Sequence, residues 1–328
     1  MEVGKRIPSL DYVKGATIFL VVWMHVIQYC AGQTFENVLF TKVYGFHMPI
    51  FMIISGFLFY TKLGSKGMNI HVQEMLKLIR KQFERLIIPN CTWGGVILLL
   101  AFKECTWRDI LNLPNSCWFL SVLFIVSVLY YMLSLFFLNK ILLTIVVTFI
   151  TFLLPGAEFL KFFVPFFGIG LLLRHYDILN RIGKKPLVIL VVLSLLLVIY
   201  FEPQYTIYLT PTPTVWHYSQ QAVWVYLYRI VTGTMITIVF VRLAEMIKPK
   251  NNYGMRLLHK LSVDSLGIYV IHILFLSNFV TPFLTNNNKF VVDVLAFVIA
   301  IVIIAIIVKL IDLMRMNRFV RLFTLGEI

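Results

Sequence analysis

Three residues of this sequence stand where an apolar environment makes them expensive. His25 lies inside the apolar run 15–31, His272 inside 262–281, and Arg229 inside 221–241; His47 lies closer to an end of the run 43–61. Ionisable side chains within such runs mark function by default. A neutral imidazole there is a general base, able to take a hydroxyl proton and deliver it to a leaving group. Lys14 precedes His25 by eleven residues, close to three helical turns. The two therefore share a face, with the histidine about 16 Å further along the helix. Asp11 shares that face and can pair with Lys14 at i, i+3. Ser265, Tyr269 and His272 are spaced i, i+4, i+7, so a second helix presents a polar stripe. A lone histidine in a span can be only a helix–helix hydrogen bond. Two of them, each on a polar stripe, weigh toward a shared cavity.

Arg229 stands about 20 Å along its helix from Arg242. A permanent guanidinium charge at that depth needs an anionic partner, water or a substrate. A phosphate on a lipid-linked glycan or on a coenzyme is one such partner. An internal salt bridge is another, although Glu158 and Asp293 both fall near the far ends of their runs. A cationic stretch, Lys77, Arg80, Lys81 and Arg85, immediately precedes Leu86-Ile87-Ile88-Pro89. It suits anionic lipid headgroups and equally the phosphates of a nucleotide-bearing donor such as coenzyme A. The chain has no Walker motif, GxGxxG or HExxH, so ATP-driven transport and zinc hydrolysis lose their usual signatures. The four cysteines form no CxxC and no Cys/His spacing, and no metal site is expected. Cys105 and Cys117 can pair, or serve as small apolar residues.

The elements that position these residues follow from composition. The chain is 60% hydrophobic and 13% charged over 328 residues, against about 25% charged for an average soluble domain. Ten apolar segments of helical length occur, near 15–31, 43–61, 86–103, 117–138, 141–154, 159–173, 186–201, 221–241, 262–281 and 291–311. They predict an all-α, polytopic integral membrane bundle of about ten transmembrane helices, forming a single domain over 1–328. Pro89, Asn90 and Gly94-Gly95 predict an irregular start to the third span. Residues 62–85 read as a loop carrying an amphipathic surface helix. The basic N-terminus before Gly15 lacks an A-x-A cleavage site and reads as the lead into a retained span. With the N-terminus inside, alternation puts 23 of the 29 Lys and Arg on inner segments and 5 on outer ones, with Arg229 within a span. This predicts N-in, C-in. The net charge of +14 then reflects basic loops at one face. No stretch interleaves basic and aromatic residues as a nucleic-acid groove does, so no nucleic-acid partner is expected.

Six stretches, taken in order, resemble the acyltransferase-3 family of membrane O-acyltransferases, which modify surface polysaccharides. They are SLDYVKGATIFLVVWMHVIQY, GFHMPIFMIISGFLFY (with Ser55-Gly56-Phe57), RLIIP, CWFLSVLF (with Trp118), PFFGIGLLLR and SLGIYVIHILF. The resemblance implies an enzyme of the bacterial inner membrane. Its donor is a cytoplasmic acyl-CoA, usually acetyl-CoA, with no metal, and its acceptor is a hydroxyl of a surface or lipid-linked glycan. It carries the essential histidine onto His25 and its basic partner onto Lys14, where the family more often has arginine. The family's paired arginines in the cytoplasmic stretch correspond to Arg85 with Gln82 at the three-residue spacing, and Arg80 and Lys81 nearby. On this reading His25, His272 and Tyr269 form the catalytic group. Asp11, Lys14, His47, Ser55, Arg80, Lys81, Arg85, Trp118, Arg229 and Ser265 hold substrates. Whether His25 acts as base or as acyl carrier stays open. The rival reading is a polytopic transporter of a glycan, lipid or small metabolite, built on polar residues of broken helices.

Overall fold

A computed structural model describes residues 7–31, 34–63, 72–100, 106–137, 139–214, 218–247, 253–278 and 288–327. Among them the chain is all helical. The helices are α1 (Pro8–Cys30), α2 (Val38–Tyr44), α3 (His47–Leu63), α4 (Val72–Leu100), α5 (Trp107–Asn112), α6 (Trp118–Leu133), α7 (Lys140–Leu153), α8 (Glu158–His175), α9 (Ile178–Arg181), α10 (Lys184–Ile199), α11 (Gln220–Met246), α12 (Tyr253–Val263), α13 (Ser265–Asn278), α14 (Lys289–Met314) and α15 (Arg318–Leu325).

Among the described residues, five helical stretches are long and apolar enough to cross a membrane: Pro8–Cys30, Val38–Thr61, Val72–Leu100, Gln220–Met246 and Lys289–Met314. Joining α12 and α13 across their 76° bend makes a sixth. The α14 sequence explains itself in these terms. Ala296, Ala300, Ile303, Ile307 and Ile311 pack inward, while Val298, Ile301 and Val302 stay exposed. A helix that is apolar all round suits lipid on its outer side. The chain is an integral membrane protein of helical class.

The third apolar run differs from its expectation. The cationic stretch and residues 86–100 of the third run belong to one helix, α4, which continues through Pro89. Proline removes a backbone donor and normally ends a helix. Here Asn90, fully buried, ties the helix to the start of α6: its Nδ2 donates to the carbonyl of Cys117 (3.3 Å) and to Ser121 Oγ (3.1 Å), and its Oδ1 accepts from the Cys117 N–H (2.8 Å). Basic residues 77–85 are thereby held rigidly on a helix that enters the bundle. Cys117 is a free, buried thiol, and Cys105 lies outside the described residues.

α1 lies at the centre, packed on α3, α11, α12, α13 and α14. Two close approaches fix the frame. A Cβ on Gly15 would sit 2.0 Å from the Leu258 carbonyl oxygen of α12. Between α3 and α8, Gly56 faces the Phe167 carbonyl and Gly170 faces the Ile53 carbonyl, with 1.9 Å left for any Cβ at either. Such backbone contact requires glycine on both helices.

Candidate functional site

α1 and α13 meet side by side and bring the two expected histidines together. His25 Nδ1 and His272 Nε2 are 3.0 Å apart, with ring centroids 5.0 Å apart. Their tautomers follow from their other partners. His272 Nδ1 lies 2.9 Å from the Ile268 carbonyl oxygen. A carbonyl only accepts, so this nitrogen carries the proton and, in a neutral ring, Nε2 of His272 is the acceptor. His25 Nδ1–H must then donate to it. The remaining nitrogen, Nε2 of His25, keeps its lone pair. His272 is fully buried, whereas His25 retains partial exposure. One imidazole is a tether and the other presents a base.

Tyr269 sits one turn before His272, ring centroids 5.7 Å apart, and its edge meets Phe119 at 5.7 Å. The first turn of α6, whose amides lack intrahelical partners, carries Phe119 and so lies beside Tyr269. Tyr269 also lines a narrow cavity of about 130 Å³. Lys14, Ser55, Arg85 and Ser265 line the same cavity. Five residues expected from separate parts of the sequence are thus gathered in one place, with apolar walls between them. Gln82 joins them on the α4 side, one turn before Arg85.

The other expected residues go elsewhere. Asp11 is buried, accepts from the Ser262 hydroxyl (3.0 Å) and faces His259 Nε2 at 3.9 Å, so it holds α1 to α12. Arg80 has a side chain 82% exposed and bonds Glu84 at 2.8 Å; Lys81 is exposed. Trp118 stacks on Phe159 (4.3 Å) and Phe163 (5.5 Å) beyond Phe119, away from the cavity lining. His47 is buried and donates from Nδ1 to the Val43 carbonyl (3.0 Å), with its ring edge on Tyr44.

Among the described residues Arg229 neither lines the cavity nor joins an ion pair. It is 1% exposed and donates to the carbonyls of Tyr205, Thr206 and Thr210. It fastens the segment 203–214 across the end of the bundle that carries Tyr44 and Tyr208, whose rings lie 5.6 Å apart. These tyrosines and Lys161 were not singled out in sequence. The sequence signal near Tyr208 is the loop 202–220, rich in Pro, Thr and aromatic residues.

At the opposite end, C-terminal helix α15 lies along α4. Trp93 Nε1 donates to the Thr324 carbonyl (2.9 Å), and Gly326, at φ +62°, abuts the backbone of Arg85. Arg315 bonds both oxygens of Glu327 and, at 2.6 Å, buried Asp264. The Glu327 carboxylate, with Asp264, holds the Arg315 guanidinium above its ordinary value. The break between α12 and α13 falls at Asp264, so this cluster fixes the bend from which α13 departs.

The histidine pair stands beside Tyr269, which lines the cavity together with Lys14 and Arg85, although neither histidine lines it. The family described as acyltransferase domain, acyltransferase-3, matches residues 7–310. The chain belongs to this family. Similar curated proteins include nodulation protein NolL of Mesorhizobium japonicum, 28% identical over 184 residues, covering 50% of this chain and 47% of that protein. NolL of Sinorhizobium fredii is 31% identical over 93 residues, covering 27% of this chain and 24% of that protein. The matched part thus spans about half the length of the first relative. No solved structure matches. In this acyltransferase-3 chain the match ends before α15, so Arg315, Thr324, Gly326 and Glu327 lie outside the matched segment while their partners Trp93, Arg85 and Asp264 lie within it, the Arg315–Glu327 pair lying wholly outside.

Proposed function

We propose that this chain, acting as one unit over 1–328, is a membrane O-acyltransferase that moves an acyl group, acetyl in the first instance, from coenzyme A to a glycan hydroxyl. The observation that carries the reading is the His25–His272 pair with Nε2 of His25 left as the free base. The basic split of the loops supports N-in, C-in, so the Lys14–Arg85 end faces the cytoplasm of the bacterial inner membrane. There Lys14 and Arg85 offer cationic donors for the phosphates of acyl-CoA. The narrow apolar cavity suits the thin acyl-bearing arm rather than the nucleotide. The acceptor is a surface or lipid-linked glycan reaching the pair from the Tyr44–Tyr208 end.

The chemistry then needs few groups. His25 Nε2 takes the proton of the acceptor hydroxyl as its oxygen attacks the thioester carbonyl. The Tyr269 hydroxyl donates to the oxygen that becomes negative. The C–S bond breaks, and His25 returns the proton to the departing thiolate. His272 holds the His25 ring in the tautomer that leaves Nε2 bare. A covalent acyl-His25 is the alternative route through the same nitrogen.

Mass spectrometry of surface glycans from cells with and without the protein tests the reading. Acetyl esters should disappear in its absence and in a His25→Ala strain whose protein is still inserted. Full acetylation in that strain would end it. The break between α12 and α13 at 76° favours a second reading, a transporter of a glycan, lipid or small metabolite, since discontinuous helices build such sites. Acyl-CoA binding to the purified protein separates the two. Its absence together with glycolipid uptake into vesicles supports transport.

A further inference from the structure

Two cations at the Tyr44–Tyr208 end have no role in the transfer chemistry. Lys161 of α8 is 0% exposed and Arg229 of α11 is 1% exposed. Each keeps an unused donor: among the described residues neither Nζ of Lys161 nor Nη1 of Arg229 has a hydrogen-bond acceptor. The two belong to one locality. The Arg229 guanidinium lies 5.7 Å from the Phe162 ring, next in sequence to Lys161, and the Tyr226 hydroxyl donates to the Lys161 carbonyl at 3.2 Å. Both also lie against the strap 205–212. Arg229 reaches its carbonyls at Tyr205, Thr206 and Thr210. Lys161 faces Glu158 at 3.7 Å, and Glu158 accepts from the Thr212 N–H at 3.0 Å. The Thr212 hydroxyl is a third buried group without a partner.

The charges do not balance. Glu158, partly exposed and beyond hydrogen-bond distance, is the carboxylate paired with Lys161 among the described residues, and no described carboxylate pairs with Arg229. A guanidinium cannot shed its proton, and a buried charge without a counter-ion is strongly unfavourable. Three of Arg229's five N–H donors are used on the strap, which leaves the two on Nη1. With the Lys161 ammonium and the Thr212 hydroxyl, they make a set of donors matched to an oxyanion with several oxygens. The strap also borders an open cleft of about 420 Å³, lined by Gln204, Thr210, Thr212, Ser219 and Gln221. Thr210 and Thr212 are shared by the cleft and the cation pair.

We propose that Lys161, Arg229 and Thr212 form a binding site for a phosphate-class anion beneath the strap 205–212. The cleft is its approach and offers hydroxyl and amide groups to whatever the phosphate carries. A membrane lipid headgroup and a phosphate borne by a soluble or lipid-linked molecule share this chemistry. The proposal stands without the transfer reading, because binding is read without donor or turnover. If that reading also holds, the site anchors the acceptor on the side of the histidine pair opposite the donor.

The test uses the purified full chain in a phosphate-free maltoside detergent, with its thermal midpoint measured against added inorganic pyrophosphate and, separately, phosphatidylglycerol. The wild type should be raised by several degrees by at least one probe. A response to pyrophosphate identifies a free or glycan-borne phosphate as sufficient, and a response to phosphatidylglycerol alone identifies a lipid headgroup. Lys161→Met should lose the response and Lys161→Arg should keep it. An undiminished response in Lys161→Met, or none in wild type to either probe, overturns the site. Should Lys161→Met fail to fold, amide hydrogen exchange of the wild type decides. Protection on 205–214 upon adding the probe supports the site, and protection confined to 77–85 overturns it.

Discussion

Lys14 and Arg85 at one end of the bundle, and Lys161 and Arg229 at the other, are held in opposite ways. Arg85 is exposed at the cavity edge and Lys14 partly so, whereas Lys161 and Arg229 are closed off under a strap. An exposed cation exchanges water for a ligand at little cost, which suits a donor that arrives from solution and leaves after each turnover. A buried cation is fixed by the fold, and its unused donors define a direction. On the proposed function the same residue types would serve capture at one end and alignment at the other.

The largest expected effect lies at the histidine pair. His25→Ala should lower transfer by about 10²–10⁴-fold, the usual contribution of a general base, with donor affinity unchanged. His47, which makes the same back-bond to the carbonyl four residues earlier, serves as the control: His47→Ala should leave most activity, and equal losses in both would remove the distinction between the rings. Next, Arg85→Ala should raise the donor KM about tenfold or more, equivalent to the roughly 1.5–3 kcal/mol of a hydrogen bond to a charged group. A fall in kcat alone would take Arg85 out of donor capture. Asn90→Leu should cost about 1–3 kcal/mol by leaving the Cys117 N–H without its partner. A lowered thermal midpoint reports this, and an unchanged one would show that α4 is held to α6 by packing alone. The smallest change is expected for Arg80→Ala, within about 0.5 kcal/mol and without effect on donor KM, since an exposed i, i+4 pair contributes little. A clear KM effect there would extend the donor surface along α4.

The helical membrane class and the costly histidines were legible because helical periodicity and the cost of burying charge are local properties of a sequence, although five or six of the ten expected spans are long and apolar enough to cross among the described residues. The meeting of His25 with His272, and of Lys14, Ser55, Arg85, Ser265 and Tyr269 around one cavity, required the order in which helices pack. The glycine contacts at Gly15, Gly56 and Gly170 set that order without announcing their partners. Continuity of α4 through Pro89 was hidden because the compensating bonds come from Asn90 to residues 27 and 31 positions away. Arg229 was recognised as costly, but its partners are backbone carbonyls of a loop, which carry no sequence signature. Lys161 passed as an ordinary residue near a helix end, because burial under a strap is a tertiary fact.

The tether of His272 has one more consequence. Its Nδ1 proton is committed to the Ile268 carbonyl, an oxygen that accepts a hydrogen bond without passing a proton on. A proton gained by His25 therefore has no onward step through His272 and must leave by the nitrogen that received it. A membrane protein with a polar site deep in its bundle runs the risk of short-circuiting the proton gradient across the bilayer. Here the imidazole pair is a blind alley rather than a wire, and the barrier stays insulated while a base is kept inside it.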